Sequence, residues 1–297
     1  MITRFGNYIT IIVILFLNNS CIYHEKHVQL VLQDSVVFHI SKPIPEFCLA
    51  MFYYEKDRQK FLLVDDKQNH EIRIINLNTN KEIDPIPLPD TGIISIPYHF
   101  GFVIKNLDSI YVPGSNYCIY SIDKQGNINK KISFSELSTK YPLLTTACSI
   151  SRFSKGAIIL GNEIYFLQNE SRKFYTSSIK PSDYHFLLKY DTKTDSIGIS
   201  PISLPDAFWN NGKKQMSIMM TYNNMEKCFV FGTMYDDLIF LSEDGKKITK
   251  TYHSKSKSIQ NFFSYNPEDN LNSEDYFYSL CKSSHNAGLF WDPYNMV

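Results

Sequence analysis

The sequence predicts an all-β fold of repeated four-stranded antiparallel sheets, and three observations support this prediction. Short runs rich in Ile, Val, Tyr and Phe recur along the chain, bounded by Asn, Asp, Gly, Ser or Pro. Outside the first twenty residues, no stretch of eleven or more residues carries a convincing apolar stripe of helical period. A turn pattern also returns about every fifty residues, which is typical of sheets arranged in series.

The predicted strands share short length and an enrichment in β-branched and aromatic residues, which favours strands over helices. In chain order they are Val28–Ile40, Lys60–Val64, Ile72–Leu77, Gly101–Ile104, Ser109–Val112, Cys118–Ile122, Gly156–Leu160, Glu163–Leu167, Phe186–Tyr190, Cys228–Phe231 and Leu238–Leu241.

One turn of each repeat has a fixed spacing. In the first copy Asp66 is followed three residues later by Asn69 and, after three more, by the aliphatic Ile72. From Asn69 the equivalent positions follow at steps of 47, 68, 52 and 50 residues, and a polar insertion at 170–182 explains the long step. Asn and Asp tolerate left-handed backbone, and their side chains bond nearby amides. We therefore predict structural turn residues at Asp66, Asn69, Asn116, Asp236 and Asn286.

A repeat of this length with two hairpins predicts one four-stranded antiparallel sheet, and such sheets in series predict a β-propeller over residues 28–297. About five blades are visible where a ring of six is expected, and the last stops within a strand at Val297. A shortened chain, a five-bladed ring closed by Val28–Ile40 and an open structure all fit this pattern. We expect a chain shortened relative to six-bladed proteins, with an incomplete last blade.

The first twenty residues predict a secretory signal peptide. Arg4 precedes an apolar run, Tyr8–Leu17, that is too short to span a bilayer. The small residue Ser20 lies directly before Cys21, which resembles the signal of bacterial lipoproteins. We expect acylation of Cys21, with residues 21–27 as a lipidated tether. The alternative is that Cys21 is an ordinary cysteine near the start of a secreted chain.

The turn Asp66-x-x-Asn69-His70-x-Ile72 resembles the signature of propeller repeats of the NHL class. Together with the leader, the chain resembles six-bladed β-propeller lipoproteins of unknown function from Gram-negative gut bacteria. This resemblance implies a location in the cell envelope, with the outer membrane expected. It transfers no active-site residue.

Composition and motifs exclude several classes of function. The 30 basic residues balance 30 acidic ones, which argues against a nucleic-acid partner. The chain has no GxSxG, HExxH, P-loop or GxGxxG motif, so we predict no catalytic residue, metal or cofactor. We interpret the acidic pairs as turn residues: Asp65-Asp66, Asp236-Asp237, Glu243-Asp244 and Glu274-Asp275.

Two adjacent aromatic residues are the candidates for ligand contact. Phe208 and Trp209 precede Asn210, Asn211 and Gly212, a composition that suits stacking on a sugar ring or a partner protein. The alternative is a hydrophobic plug between blades. We predict a membrane-anchored, non-catalytic module that binds a peptide, a glycan or an envelope protein. A metal-dependent propeller hydrolase or lyase is the alternative.

Overall fold

In the part of the chain that it describes, the computed structural model has four sheets of four strands each and one short helix. It describes residues 40–41, 50–90, 95–96, 98–115, 117–141, 144, 156–168, 184–204, 218–233 and 237–253. Sheet 1 holds β1 (Met51–Lys56), β2 (Gln59–Asp66), β3 (Glu71–Asn76) and β4 (Lys81–Pro87), and sheet 2 holds β5 (Val103–Asn106), β6 (Ser109–Pro113), β7 (Cys118–Ile122) and β8 (Ile128–Ser133). Sheet 3 holds β9 (Ile158–Leu160), β10 (Glu163–Leu167), β11 (Leu187–Asp191) and β12 (Ser196–Ile199), and sheet 4 holds β13 (Ile218–Asn223), β14 (Cys228–Thr233), β15 (Leu238–Ser242) and β16 (Lys250–His253). The helix is α1 (Leu137–Lys140).

Each sheet is a simple meander. Its strands lie side by side in chain order, and every neighbouring pair is antiparallel. The prediction of an all-β chain made of four-stranded antiparallel sheets is therefore confirmed for these four repeats. Cys118 in β7 and Cys228 in β14 are both buried, as cysteines that act as small hydrophobic residues are.

Consecutive sheets pack face to face. One apolar cluster joins sheets 1 and 2, a second joins sheets 2 and 3, and a third joins sheets 3 and 4. In β6, Ile110 and Val112 face sheet 1 while Tyr111 between them faces sheet 3. In β10, Ile164 and Phe166 belong to the cluster with sheet 2, whereas Tyr165 belongs to the cluster with sheet 4. Sheets 2 and 3 thus bury both faces, as the period-two alternation of strands allows.

A second contact recurs between consecutive sheets at their outer strands. The turn before the fourth strand of each sheet touches the fourth strand of the sheet before it, or the residue just after that strand. A Cβ on Gly126 in sheet 2 would meet the Pro87 carbonyl at the end of β4. Lys130 in β8 forms an ion pair with Asp195 in sheet 3. Ser200, just after β12, donates from its hydroxyl to the Gly245 carbonyl in sheet 4. Consecutive sheets therefore contact each other at the same place, next to their outer strands.

In sheets 1 and 2 the repeat turn joins the second and third strands. In sheet 1 the carboxylate of Asp66 accepts hydrogen bonds from the backbone amide of Asn69, at 3.0 Å, and from its side chain, at 2.8 Å. The left-handed residue is the next one, His70, with φ of 52°, and the corresponding residue in sheet 2 is Tyr117, with φ of 57°. The left-handed position therefore falls one residue after the spaced Asn. The aliphatic residue that follows, Ile72, is fully buried.

Candidate ligand-binding cleft

An open cleft of about 290 Å³ lies between the outer part of sheet 3 and the turn before β16 in sheet 4. Strand β12 and the two residues after it form one wall, and Asp244 and Lys246 form the other. Tyr165 and Lys189 complete the lining. Because concave sites with a few polar groups are the usual ligand sites of proteins, this cleft is the candidate site.

The floor of the cleft is a row of residues that the strand register aligns across sheet 3. Tyr165 in β10 lies opposite Lys189 in β11, and Lys189 lies opposite Gly198 in β12. Residues directly opposite in antiparallel strands share a face, so the side chains of Tyr165 and Lys189 project toward sheet 4, on the same face as Gly198. Gly198 contributes no side chain, which leaves the outer end of the row open.

Charged groups hold the floor in place. The Lys189 ammonium forms an ion pair with Glu163, and the Tyr165 hydroxyl donates to the same carboxylate at 2.6 Å. These two contacts lower the pKa of Glu163, so its carboxylate stays charged near neutral pH. Burial, reinforced by the bond to Glu163, raises the pKa of Tyr165 and keeps its hydroxyl a donor. On the opposite wall, hydrogen bonding by the Lys246 backbone amide lowers the pKa of Asp244.

A buried carboxylate and histidine pair lies elsewhere, between sheets 1 and 2. The Asp65 carboxylate and the His99 Nε2 atom are 2.7 Å apart, and both side chains are almost fully buried. Among the described residues, neither the second Asp65 oxygen nor His99 Nδ1 has a hydrogen-bond partner. The sequence analysis interpreted both Asp65 and Asp66 as turn residues; Asp66 does bind the turn residue Asn69, whereas Asp65 binds His99 instead. Asp65 and Asp66 are the last two residues of β2 and are fully buried.

The other face of sheet 1 holds a buried cation. Arg73 is 1% exposed and donates from Nε to Glu82 at 2.5 Å, and its Nη1 lies 3.9 Å from Asp66. The hydrogen bond to Arg73 lowers the pKa of Glu82 to about 2, assisted by hydrogen bonds from Ser41. Interactions with Glu82 raise the pKa of Arg73 in turn. This pair fixes β3 against β4 and takes no part in the cleft.

Of the residues predicted from the sequence, Asp66 is the last residue of β2 and Asn69 lies in the turn that follows it, and both are away from the cleft. Cys21, Phe208, Trp209, Asn116, Asp236 and Asn286 lie outside the described residues. Within the described part of the chain, no three His, Cys, Asp or Glu side chains come together as metal ligands would. In that same part, no helix has the length and apolar character needed to cross a membrane.

Sequence reasoning did not find the cleft residues. Tyr165 and Lys189 lie in strands that were predicted, but only the register shows that they are neighbours. Gly198 carried a usable signal, because glycine inside a strand often marks the close approach of a ligand or another backbone. His99 carried none, since nothing near it in the sequence indicates a partner 34 residues away.

Comparison with known proteins places the chain in a family. The sequence pattern described as Domain of unknown function (DUF4221) matches residues 27–297. The chain belongs to the DUF4221 family. It is similar to the crystal structure of a DUF4221 family member from Bacteroides vulgatus, with 21% identity and a TM-score of 0.61 over 82% of this chain and 68% of that chain. This similarity supports the fold alone.

Two further solved structures have weaker similarity to this DUF4221 chain. One is a protein of unknown function from Bacteroides caccae, at 9% identity and a TM-score of 0.38 over 67% of this chain and 64% of that chain. The other is the β-propeller domain of Cps50 (Swd1) from Myceliophteria thermophila, at 11% identity and a TM-score of 0.41 over 69% of this chain and 55% of that chain. Scores at this level support no argument. None of the curated proteins matches the chain.

Proposed function

We propose that this DUF4221 chain is a lipid-anchored protein of the cell envelope that binds a peptide, a glycan or another envelope protein without catalysing a reaction. In this proposal residues 1–20 are a signal peptide, and residues 21–27 tether the domain to the outer membrane through acylated Cys21. Residues 28–297 form about five blades of a β-propeller of the six-bladed type.

The cleft between sheets 3 and 4 is the observation that carries the proposed binding role. Its floor combines an aromatic side chain, Tyr165, with the cation of Lys189, and its wall adds Asp244 and Lys246. Such a set offers stacking and hydrogen bonding to a polar ligand. The propeller proposal is supported by the recurring outer-strand contact, because radial sheets repeat one neighbour interaction around an axis.

Anchoring is tested by labelling cells with radioactive palmitate. We expect the wild-type chain to incorporate label and to sediment with membranes, and Cys21→Ser to do neither. Cys48→Ser, which removes another cysteine, should label like the wild type. Equal labelling of wild type and Cys21→Ser would contradict the anchor and leave the binding role to be judged separately.

Binding is tested on the full chain, purified from membranes in detergent, with arrays of random heptapeptides and of bacterial surface glycans. If Trp209 contacts the ligand, Trp209→Ala should weaken binding by at least about tenfold and leave the melting temperature unchanged. Trp291→Ala, which removes the other tryptophan, is the matched control. A lower melting temperature with unchanged affinity would instead make Trp209 a hydrophobic plug.

A hydrolytic role has a different signature. One divalent cation per chain, together with metal-dependent turnover of a small ester or lactone, would overturn the non-catalytic proposal. Elemental analysis of the purified chain and a chromogenic ester assay measure these two properties directly.

A further inference from the structure

We infer that the cleft binds an extended peptide, which pairs as an additional β-strand with the outer edge of β12. The inference rests on the proposed binding role and specifies the class of ligand and the mode of recognition. In strand addition the backbone supplies the affinity, and neighbouring pockets select side chains. Three features of sheet 3 lead to this conclusion.

The first feature is the direction of the backbone groups in β12, the outermost strand of sheet 3. Ser200 donates its backbone amide to the Leu187 carbonyl at 2.8 Å, so positions 200 and 198 bond to β11. Bonded and non-bonded positions alternate in antiparallel strands. The N–H and C=O groups of Ile197 and Ile199 therefore point away from β11 and toward the edge.

The second feature is that β12 lacks the protection found on the other outer strands. Natural sheets block their edges with proline, charged residues or bulges. Strand β4 contains Pro85 and Pro87 and a bulge, β8 contains Lys130 and Lys131 and a bulge, and β16 begins with Lys250. Strand β12 reads Ser-Ile-Gly-Ile, with no charge and no proline.

Sheet 1 offers a direct comparison with sheet 3, because the same backbone hydrogen bond follows its outer strand. Leu88 donates to the His70 carbonyl at 2.7 Å, as Ser200 donates to Leu187. The residue before the donor is Pro87 in sheet 1 and Ile199 in sheet 3. Proline has no amide hydrogen to offer a partner. Sheet 1 is thus closed to strand addition at the position where sheet 3 remains open.

The third feature is the space beside Gly198. A Cβ built on Gly198 would meet no described atom within 4 Å, and its backbone does not need a left-handed conformation. Nothing in the local backbone therefore requires glycine, whereas an approaching strand gains room from it. The cleft at this point can receive one side chain of the bound peptide, between Lys189 and the wall formed by Asp244 and Lys246.

These features define the ligand. Four residues of β12 extend about 13 Å, which suits a peptide segment of about four to six residues. Ile197 and Ile199 are half-buried, and their side chains pack against the apolar cluster between sheets 2 and 3, so they favour apolar residues at alternate positions of the peptide. On the cleft side, Asp244 and Lys246 favour polar or charged residues.

The decisive variant is Ile199→Pro in the full chain. It removes the outward amide, and Pro87 shows that an outer strand of this protein accepts proline at the equivalent position. Ile199→Val, which keeps the amide and a branched side chain, is the matched control. Heptapeptides selected from the random array should bind Ile199→Pro at least about tenfold more weakly than Ile199→Val, since a hydrogen bond is lost.

A second variant and a second measurement guard against a folding defect. Gly198→Leu fills the open space and should also weaken peptide binding by at least about tenfold, whereas Asn129→Leu on β8 should not change it. Bound peptide should slow amide hydrogen exchange at Ile197 and Ile199. Methylating alternate backbone nitrogens of the peptide should abolish binding in one of the two registers.

The outcomes separate this inference from the proposed function. Peptides that bind all four variants equally would overturn strand addition but leave a binding role. Binding of cellohexaose or chitohexaose in the cleft, with no peptide bound, would overturn strand addition. It would leave the proposed binding role in place, with a glycan as the ligand. A concentration-dependent dimer that Ile199→Pro abolishes would assign the edge to a second copy of the chain. Failure of every peptide and glycan to bind would overturn both proposals.

Discussion

Replacing Arg73 with methionine is expected to lower the free energy of unfolding by about 4 kcal/mol at pH 7. The substitution keeps a long side chain but leaves the carboxylates of Glu82 and Asp66 without the cation that compensates them. A buried charge that loses its partner is among the most destabilising defects in a folded protein. Urea unfolding followed by circular dichroism measures the change. Arg58→Met, at an exposed turn position, should change stability by less than about 0.5 kcal/mol.

The ion pair between Arg73 and Glu82 also predicts that the stability of the fold depends on pH. The pKa of Glu82 falls from 4.5 to about 2 in the folded state. A group whose pKa is lowered by folding contributes stability above its unfolded pKa and loses it as pH falls through the folded value. The contribution, about 3 kcal/mol, should therefore be complete above pH 4.5 and disappear toward pH 2. The difference between wild type and Arg73→Met should shrink over this window. A constant difference from pH 7 to pH 2 would contradict the assignment.

Gly126→Ala is expected to destabilise the protein by about 3 kcal/mol or more. Gly126 has φ of 82°, and a Cβ there would lie 2.2 Å from the Pro87 carbonyl oxygen, which belongs to the preceding sheet. The alanine must therefore accept a strained backbone and push two sheets apart. Thermal unfolding of the variant measures the combined cost.

Gly161→Ala separates the two contributions. Gly161 also has a positive φ, of 63°, but a Cβ there would meet none of the described atoms within 4 Å. Only the strain of a left-handed alanine backbone remains, and it should lower the free energy of unfolding by about 1 kcal/mol. If the two alanine variants lose equal stability, the contact between Gly126 and Pro87 contributes nothing to the packing of sheet 2 on sheet 1.

The two middle strands of each sheet could be predicted from the sequence because they carry buried apolar runs. The second and third strands of every sheet carry apolar runs such as Ile110–Val112 and Phe229–Phe231, which show the β-branched and aromatic enrichment of strands. All four outer strands were missed, and so were the first strands β1 and β13. Strands β8 and β16 are rich in exposed polar residues, so hydrophobic patterning gives no signal for these two strands.

The candidate site was less predictable than the fold. The cleft depends on the register that aligns Tyr165, Lys189 and Gly198, and on a turn from the next sheet. Each of these residues is ordinary in its own strand. The buried Asp65–His99 contact shows the same limit, because a residue pattern that suggests a turn can also end a buried strand.

Because the sheets pack face to face in succession, a local defect should destabilise the sheets next to it more than the distant ones. When every layer touches mainly the layers before and after it, the total stability is close to a sum of nearest-neighbour terms. A defect at the junction of sheets 1 and 2 should then loosen those layers first and leave the junction of sheets 3 and 4 protected against hydrogen exchange. Binding of a peptide at β12 should in that case tolerate destabilising substitutions in sheets 1 and 2.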